Sequence, residues 1–230
     1  MSYLENSELN SISLFLTERE VGDAIINGKI ELYNVSPVKL PCVEESSNER
    51  MSFDHIASFP PEIEGRNRPR SNSCEIFPQR PKNAPRSSSL GDLSAPSSRK
   101  LFLDLISTLN ESFPDYDFHA TKLHQFVEKD VSSVMRVVNN SLAEITEENP
   151  TFLQHLWDSI DRAVGGLRRC EVFSYVPDNE DVEDPFSSHG SIWSFNHFFF
   201  NPQKLRICYV TVMATRYYYY YMYKKENKYY

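Results

Sequence analysis

From about Ser36 to Ser98 the chain holds no sustained hydrophobic period, and that gap decides how the rest can fold. Nine of the 14 prolines stand there, at 37, 41, 60, 61, 69, 78, 81, 85 and 96. Serines crowd at 87–89 and 97–98. Such a segment buries too little apolar surface to offset the entropy of ordering it, so 40–97 reads as a mobile, disordered linker. The chain is thereby parted into 1–39, the linker, a main part at 98–214 and a tail at 215–230. A length of 230 residues suits one ordinary domain with tails.

The first part holds one helix and one strand. Leu9, Ile12, Phe15 and Leu16 fall at helical spacing within 2–16, with Ser2 in place to cap. Residues 24–34 alternate instead. Ile26, Ile30 and Leu32 share one face with Gly28, while Asn27, Lys29 and Glu31 share the other, the pattern of a half-buried strand. That strand needs a sheet, and the linker offers none.

Order returns at Arg99. Leu101, Phe102, Leu105, Ile106 and Leu109 make a helical stripe, with Ser97 or Ser98 as its cap. Phe113–Phe118 is a Pro-marked loop. Val131, Val134, Val138, Leu142 and Ile145 predict a second helix from Asp130. A third follows Pro150, with Leu153, Leu156, Trp157, Ile160 and Val164 inward and Gly165-Gly166 ending it. Strands are expected at 170–176, 191–200 and 204–213, the last two joined through Asn201-Pro202-Gln203. The tail from Arg216 holds a run of five tyrosines from Tyr217 and reads as low-complexity. The simplest architecture returns strand 24–34 to the C-terminal sheet. The expected fold is α+β, an α/β/α sandwich: a mainly antiparallel sheet of about four to five strands packed with about four helices.

A net charge of -8 disfavours a general nucleic-acid binder, because phosphate contacts need clustered Lys and Arg. Cys42, Cys74, Cys170 and Cys208 form no Cys-x-x-Cys pair, so no zinc site is expected and the thiols read as free in a reducing compartment. Glu5, Asn6, Glu8 and Asn10 break up any signal peptide, and no apolar run approaches the ~20 residues of a membrane span. No cofactor is implied.

Asp178, Glu180, Asp181, Glu183 and Asp184 concentrate negative charge between two strands. A calcium loop would need glycine where Glu183 stands, so these acids read as a solvated loop or as a contact for basic surface on a large partner. Trp193, Phe195, His197 and Phe199 alternate with Ile192, Ser194, Asn196, Phe198 and Phe200. Aromatics on a strand can stack on single-stranded nucleic acid, but the acidic flanks favour core packing. The histidines show no metal-protease spacing, and Gly190-Ser191-Ile192-Trp193 lacks the form of a nucleophile elbow. A single-stranded nucleic-acid binding domain, and a small hydrolase using Ser191 or a carboxylate pair, stand as alternatives to a non-catalytic binder. In the linker, Arg68 and Arg66 precede Ser71, Arg70 and Arg68 precede Ser73, and Arg86 precedes Ser89, each at the spacing basophilic kinases read. Arg99-Lys100 is a short basic pair of the kind used in nuclear import.

Three blocks of this sequence, in order, resemble the Maf-type negative regulators (repressors) of RNA polymerase III transcription, a family unrelated to the leucine-zipper Maf factors. The first is Tyr3-Leu4-Glu5-Asn6 with Ile26-Asn27-Gly28-Lys29-Ile30-Glu31-Leu32-Tyr33. The second is Ser98-Arg99-Lys100 with Leu109-Asn110-Glu111-Ser112-Phe113-Pro114-Asp115-Tyr116-Asp117-Phe118. The third runs through Tyr175-Val176-Pro177-Asp178, Asp184-Pro185-Phe186 and Gly190-Ser191-Ile192-Trp193-Ser194-Phe195-Asn196. The resemblance implies that the first block packs onto the other two. It implies a repressor that binds RNA polymerase III and blocks its assembly with initiation factors at promoters. Initiation factor IIIB components and regulatory kinases and phosphatases join the expected partners. Nutrient- and stress-dependent phosphorylation of the linker, as in TOR signalling, would set activity and shuttling between nucleus and cytoplasm. The protein is expected to act as a monomer without sequence-specific DNA or membrane binding. Where the family ends in an acidic tail this chain has tyrosines, so no tail role is carried over.

Overall fold

The alternating residues 24–34 form one strand, and its partner lies beyond the Pro-rich segment. The computed structural model describes residues 1–37, 90, 95–178, 184–186 and 190–226. In chain order these are β1 (Ser2–Tyr3), α1 (Ser7–Phe15), β2 (Arg19–Val21) and β3 (Ala24–Asn34), then α2 (Pro96–Ser112), β4 (Phe126–Lys129), α3 (Val131–Ser141), α4 (Ala143–Glu148), α5 (Phe152–Val164), β5 (Glu171–Tyr175), β6 (Ser191–Asn201), β7 (Arg206–Arg216) and α6 (Tyr217–Glu226). The sheet runs β1-β3-β7-β6-β5-β4, with β2 also pairing β3, and its pairs are antiparallel. From Ala24↔Arg216 to Asn34↔Arg206 the β3–β7 register is continuous. Met1–Val38 and Ser88–Tyr230 make one unit, and most of the predicted linker lies outside the described residues.

Both sheet faces are covered, as an α/β/α sandwich requires. On one, Ile26, Ile30 and Leu32 meet Leu9, Ile12 and Leu16, Val134 and Val138 of α3, Ile145 of α4 and Leu156 and Ile160 of α5. On the other, Tyr33, Phe198, Ile207 and Tyr209 meet Leu101, Phe102, Leu105, Ile106 and Leu109 of α2. A nine-residue helix such as α1 is marginal alone, so its stability comes from packing. Each fully buried aliphatic side chain contributes about 1.5–3 kcal/mol.

The open edge of β3 is closed by its own N-terminal helix. Ser13 Oγ accepts from Ile30 N–H at 2.8 Å and lies 3.3 Å from the Ile30 carbonyl, while Gly28 N–H donates to Leu16 O at 3.2 Å. The close approach explains Gly28. A Cβ there would stand 2.8 Å from Leu16 Cδ1 and 3.2 Å from Val212 Cγ2. At the far end, Gly165 takes φ +83° and ends α5. Asn201 Nδ2 donates to the Val164 and Gly165 carbonyls, while its Oδ1 accepts from Gln203 and Lys204 N–H, so one side chain ties the β6–β7 turn to the helix end.

Several boundaries differ from the sequence reading. Helix α1 begins at Ser7 because Asn6 Oδ1 accepts from Glu8 and Leu9 N–H, and Ser2 lies in β1 instead of capping. Helix α2 begins earlier, at Pro96, and Ala95 caps it with no side-chain bond, so Ser97 and Ser98 lie inside its first turn. The stripe 131–145 is two helices broken at Leu142, although Leu142 and Ile145 still face the core. Among the described residues the sheet has seven strands in place of the expected four to five, the short β1, β2 and β4 being added to it. The tyrosine run forms α6, with Tyr217 N–H donating to Asp23 O at 2.8 Å.

Two substitutions test this packing by urea unfolding. Trp157 is 7% exposed, donates Nε1–H to Asn139 Oδ1 at 2.8 Å and meets Phe199 edge to face. Trp157→Ala is expected to cost about 3–5 kcal/mol. Gly28→Ala, which forces Leu16 and Val212 apart, is expected to cost about 1–3 kcal/mol. An unchanged midpoint for either would contradict the packing described.

Candidate partner-binding surface

The three sequence blocks meet around the loop that ends α2. Phe118 N–H donates to Asn110 Oδ1 at 3.0 Å and Tyr116 N–H to Phe113 O at 3.1 Å, which folds the loop back on the helix. Four rings then close on one another. Phe113 and Phe186 stand edge to face at 5.2 Å, Phe118 and Tyr175 at 6.0 Å, and Tyr175 and Phe186 at 6.0 Å. From the first block, Lys29 Nζ donates to the Ser112 carbonyl at 2.7 Å and lies 4.6 Å from the centre of the Phe113 ring. The ammonium thus meets the negative end of α2 and a ring face together.

Carboxylates rim this aromatic group. Asp184 Oδ1 accepts from Phe186 N–H at 2.7 Å, so the buried ring and the acid are set by one turn. Asp178 bonds to His124 Nε2 at 3.0 Å. Asp117 accepts from His119 N–H at 2.9 Å and meets that imidazole, and these bonds hold its carboxyl below the usual range. Glu111 and Asp115 are exposed nearby in sequence. Asp117, Asp178 and Asp184 line one cleft with Phe118, Gln125 and Tyr175. Its volume of about 90 Å³ falls short of the about 300–1,000 Å³ of small-molecule pockets. A polar rim around anchored aromatics is suited to protein contact.

Of the five acids singled out in the sequence, the structure brings Asp178 and Asp184 together, while Glu180, Asp181 and Glu183 lie outside the described residues. So do Ser71, Ser73 and Ser89. Asp117 and Gln125 were missed because loop residues carry no period, and only the fold brings them beside Asp178. Arg99 is exposed on α2, whereas the Lys100 ammonium is held by Asp104 at 2.6 Å.

The aromatic strand is core. Phe195 is 7% exposed and stacks between Trp193 and His197, and Phe198 and Phe199 are fully buried. Rings so covered cannot stack on bases. Asn196 bonds within the sheet, its Oδ1 accepting from Tyr209 and Thr211 hydroxyls. Ser191 pairs in the ladder with Thr215. A different serine, Ser174, meets His197 Nδ1 at 2.8 Å, but both side chains are buried under the helical layer and His197 Nε2 has no partner among the described residues. Burial first, then the Lys129 charge, lowers the imidazole to about 4.

A family model described as "Maf1 regulator" matches residues 26–211, a span whose ends fall in β3 and β7. The chain is 30% identical over 217 residues to a Schizosaccharomyces pombe protein named "Repressor of RNA polymerase III transcription maf1", covering 92% of this chain and 82% of that protein. It is 37% identical over 124 residues to a Dictyostelium discoideum protein named "Repressor of RNA polymerase III transcription", covering 53% of this chain and 43% of the relative. A crystal structure of citrus MAF1 superposes with a TM-score of 0.58 at 27% identity, over 91% of this chain and 99% of that one.

His197 sets a pH dependence. Its folded pKa of about 4 lies below the ordinary 6.5. Above about 6.5 the imidazole is neutral in both states and has no effect. As pH falls from there towards 4 the unfolded chain takes a proton that the folded chain refuses, so stability drops by roughly 3 kcal/mol in all. Unfolding free energies at pH 7 and pH 4.5 should differ less for His197→Gln than for the parent. Equal differences would remove His197 from the acid response.

Proposed function

The chain belongs to the Maf1 regulator family, and from that premise we propose that it represses RNA polymerase III transcription by binding the polymerase and blocking its assembly with initiation factors. The observation that carries the mechanism is the acid-rimmed aromatic surface formed by Asp117, Asp178 and Asp184 around Phe113, Phe118, Tyr175 and Phe186. Its rings are held by β3, α2 and β5 together, so the surface exists only in the assembled fold. Negative charge there favours a basic partner surface and hastens encounter. Repression by contact needs no chemistry on the partner.

Control is assigned to Ser71, Ser73 and Ser89. Between Arg66 and Lys100 the sequence has eight bases and two acids, a net charge of +6. Each phosphate adds about -1.5 to -2, so three cancel most of that charge. The basic stretch then loses attraction for acidic partners and for import factors. Phosphorylated protein is expected to leave the nucleus and repress less.

Two experiments test this reading. Affinity purification from cells should recover polymerase III subunits, and replacing Asp178, Glu180, Asp181, Glu183 and Asp184 by their amides should lower that recovery most at low salt. Full recovery by the neutralised protein would remove the acidic contact. Replacing Ser71, Ser73 and Ser89 by Ala should hold the protein nuclear and repressive in fed cells. A starvation response like the parent's would place control elsewhere.

A further inference from the structure

The C-terminal end of α5 gathers positive charge from three parts of the chain. Arg162 stands in the last turn of the helix, Arg168 and Arg169 follow the Gly165-Gly166 turn, and Lys204 belongs to the turn between β6 and β7. The two glycines let long side chains lie across the backbone. Lys204 Cγ and Cε stand 3.0 and 3.5 Å from where a Cβ on Gly165 would be. Arg169 Cδ and Nε stand 3.7 and 3.9 Å from the corresponding point on Gly166. Asn201 fixes this arrangement, since its Nδ2 donates to the Val164 and Gly165 carbonyls and its Oδ1 accepts from Lys204 N–H. Arg162, Arg168, Arg169 and the glycines, with Asp161, line an open cleft of about 500 Å³.

A separate observation is that these cations are not used to hold the fold. Basic residues at a helix C-terminus commonly bind its last carbonyls. Here Arg206 Nη1 donates to the Ala163 carbonyl at 2.8 Å, and Asn201 takes the next two. Arg162 pairs with Glu8 at 2.7 Å. Arg168 and Arg169 are exposed and form no ion pair among the described residues. Asp161 is engaged with its own turn: its Oδ1 accepts from Leu167 N–H at 2.7 Å, and its carbonyl accepts from Gly165 and Gly166 N–H. With Arg162 and Glu8 cancelling, Arg168, Arg169 and Lys204 against Asp161 leave a net charge of +2. In a chain of net charge -8 that is a local reversal of sign.

A phosphate monoester carries about -1.5 to -2 and offers three acceptor oxygens, and guanidinium forks bind such oxygens in pairs. A nucleic-acid backbone fits this end of the molecule poorly. Glu8, Asp158 and Asp161 beside Arg162 interrupt any basic track, and no ring among the described residues lines the cleft for bases to stack on. The cleft is also wider than a free phosphate needs, with room for the residues on either side of it. We propose that this cleft binds a phosphorylated serine or threonine on an extended segment of a partner protein. Arg168 and Arg169 hold the phosphate oxygens, Lys204 adds charge from the β6–β7 turn, and the glycine floor lets the segment's backbone approach. This is a second interaction surface, independent of the polymerase reading and of the acid-rimmed aromatic face.

The test uses the full chain and a labelled Ala-Gly-Ser-Gly-Ala peptide in three versions, with phosphoserine, serine or glutamate at its centre. The phosphoserine peptide should bind about ten-fold more tightly than either other version, because a carboxylate has less charge and fewer oxygens. It should also shift the amide resonances of Gly165, Gly166 and Leu167. Arg168→Gln with Arg169→Gln should abolish that preference while leaving the melting temperature in place, since both side chains are exposed. Equal binding of the phosphoserine and glutamate peptides, or a preference that survives the double variant, overturns the cleft as a phosphate site. Inorganic phosphate binding as tightly as the phosphopeptide overturns recognition of a peptide. An oligouridylate that binds more tightly than the phosphopeptide, and is lost in the double variant, overturns the protein partner in favour of a nucleic-acid backbone.

Discussion

Everything in this molecule depends on the pairing of β3 with β7. Eleven residues before the Pro-rich segment lie in register with eleven near the end of the chain. Remove β3 and β7 becomes an unpaired edge, while Val210, Val212 and Ala214 lose their neighbours Ile26 and Ile30. Closing so long a loop costs entropy that grows only slowly with length. The apolar contacts of β3 and α1, with Leu9, Ile12, Leu16, Ile26, Ile30 and Leu32 buried, offset it. Leu90, within the intervening segment, itself packs into the core with Leu101, Phe102 and Leu105.

The same pairing builds the surface assigned to the partner. Lys29 belongs to β3, yet it holds the Ser112 carbonyl and the Phe113 ring. Phe113 in turn packs on Phe186, and the turn at Phe186 fixes Asp184. Short physical steps thus connect the first block to the acidic rim. The proposed phosphorylation sites lie in the sequence between β3 and α2.

How legible this was depended on how much of each element is buried on one side. Strand β3 alternates because one face packs on α1 and the other is partly open, and α5 shows its stripe because its outer face meets water. The three-layer class followed from those patterns. Strand β4 stayed hidden, since Phe126 is its only fully buried residue, and two-residue β1 has no period to read. The break at Leu142 was invisible because its stripe continues across it. Asn6 is the real cap of α1, but no helical stripe marks it. For the surface, the acids were legible as charge, while Asp117, Gln125 and Phe186 gain their roles only from being brought together. The tyrosines of α6 have no amphipathic pattern, and their helix could not be anticipated from composition.

The most direct test of the central claim is to cut the chain between β3 and α2. A specific protease site placed within 42–88 would separate the first helix and strands from the rest covalently while leaving every described contact intact. If β3 is integral to the sheet, the two fragments stay together on native sizing, unfold in one transition, protect β3 and β7 amides from exchange alike, and keep the polymerase binding proposed for the intact chain. Fragments that part under native conditions, with the larger one remaining folded and binding competent, would contradict both the pairing and the surface built on it.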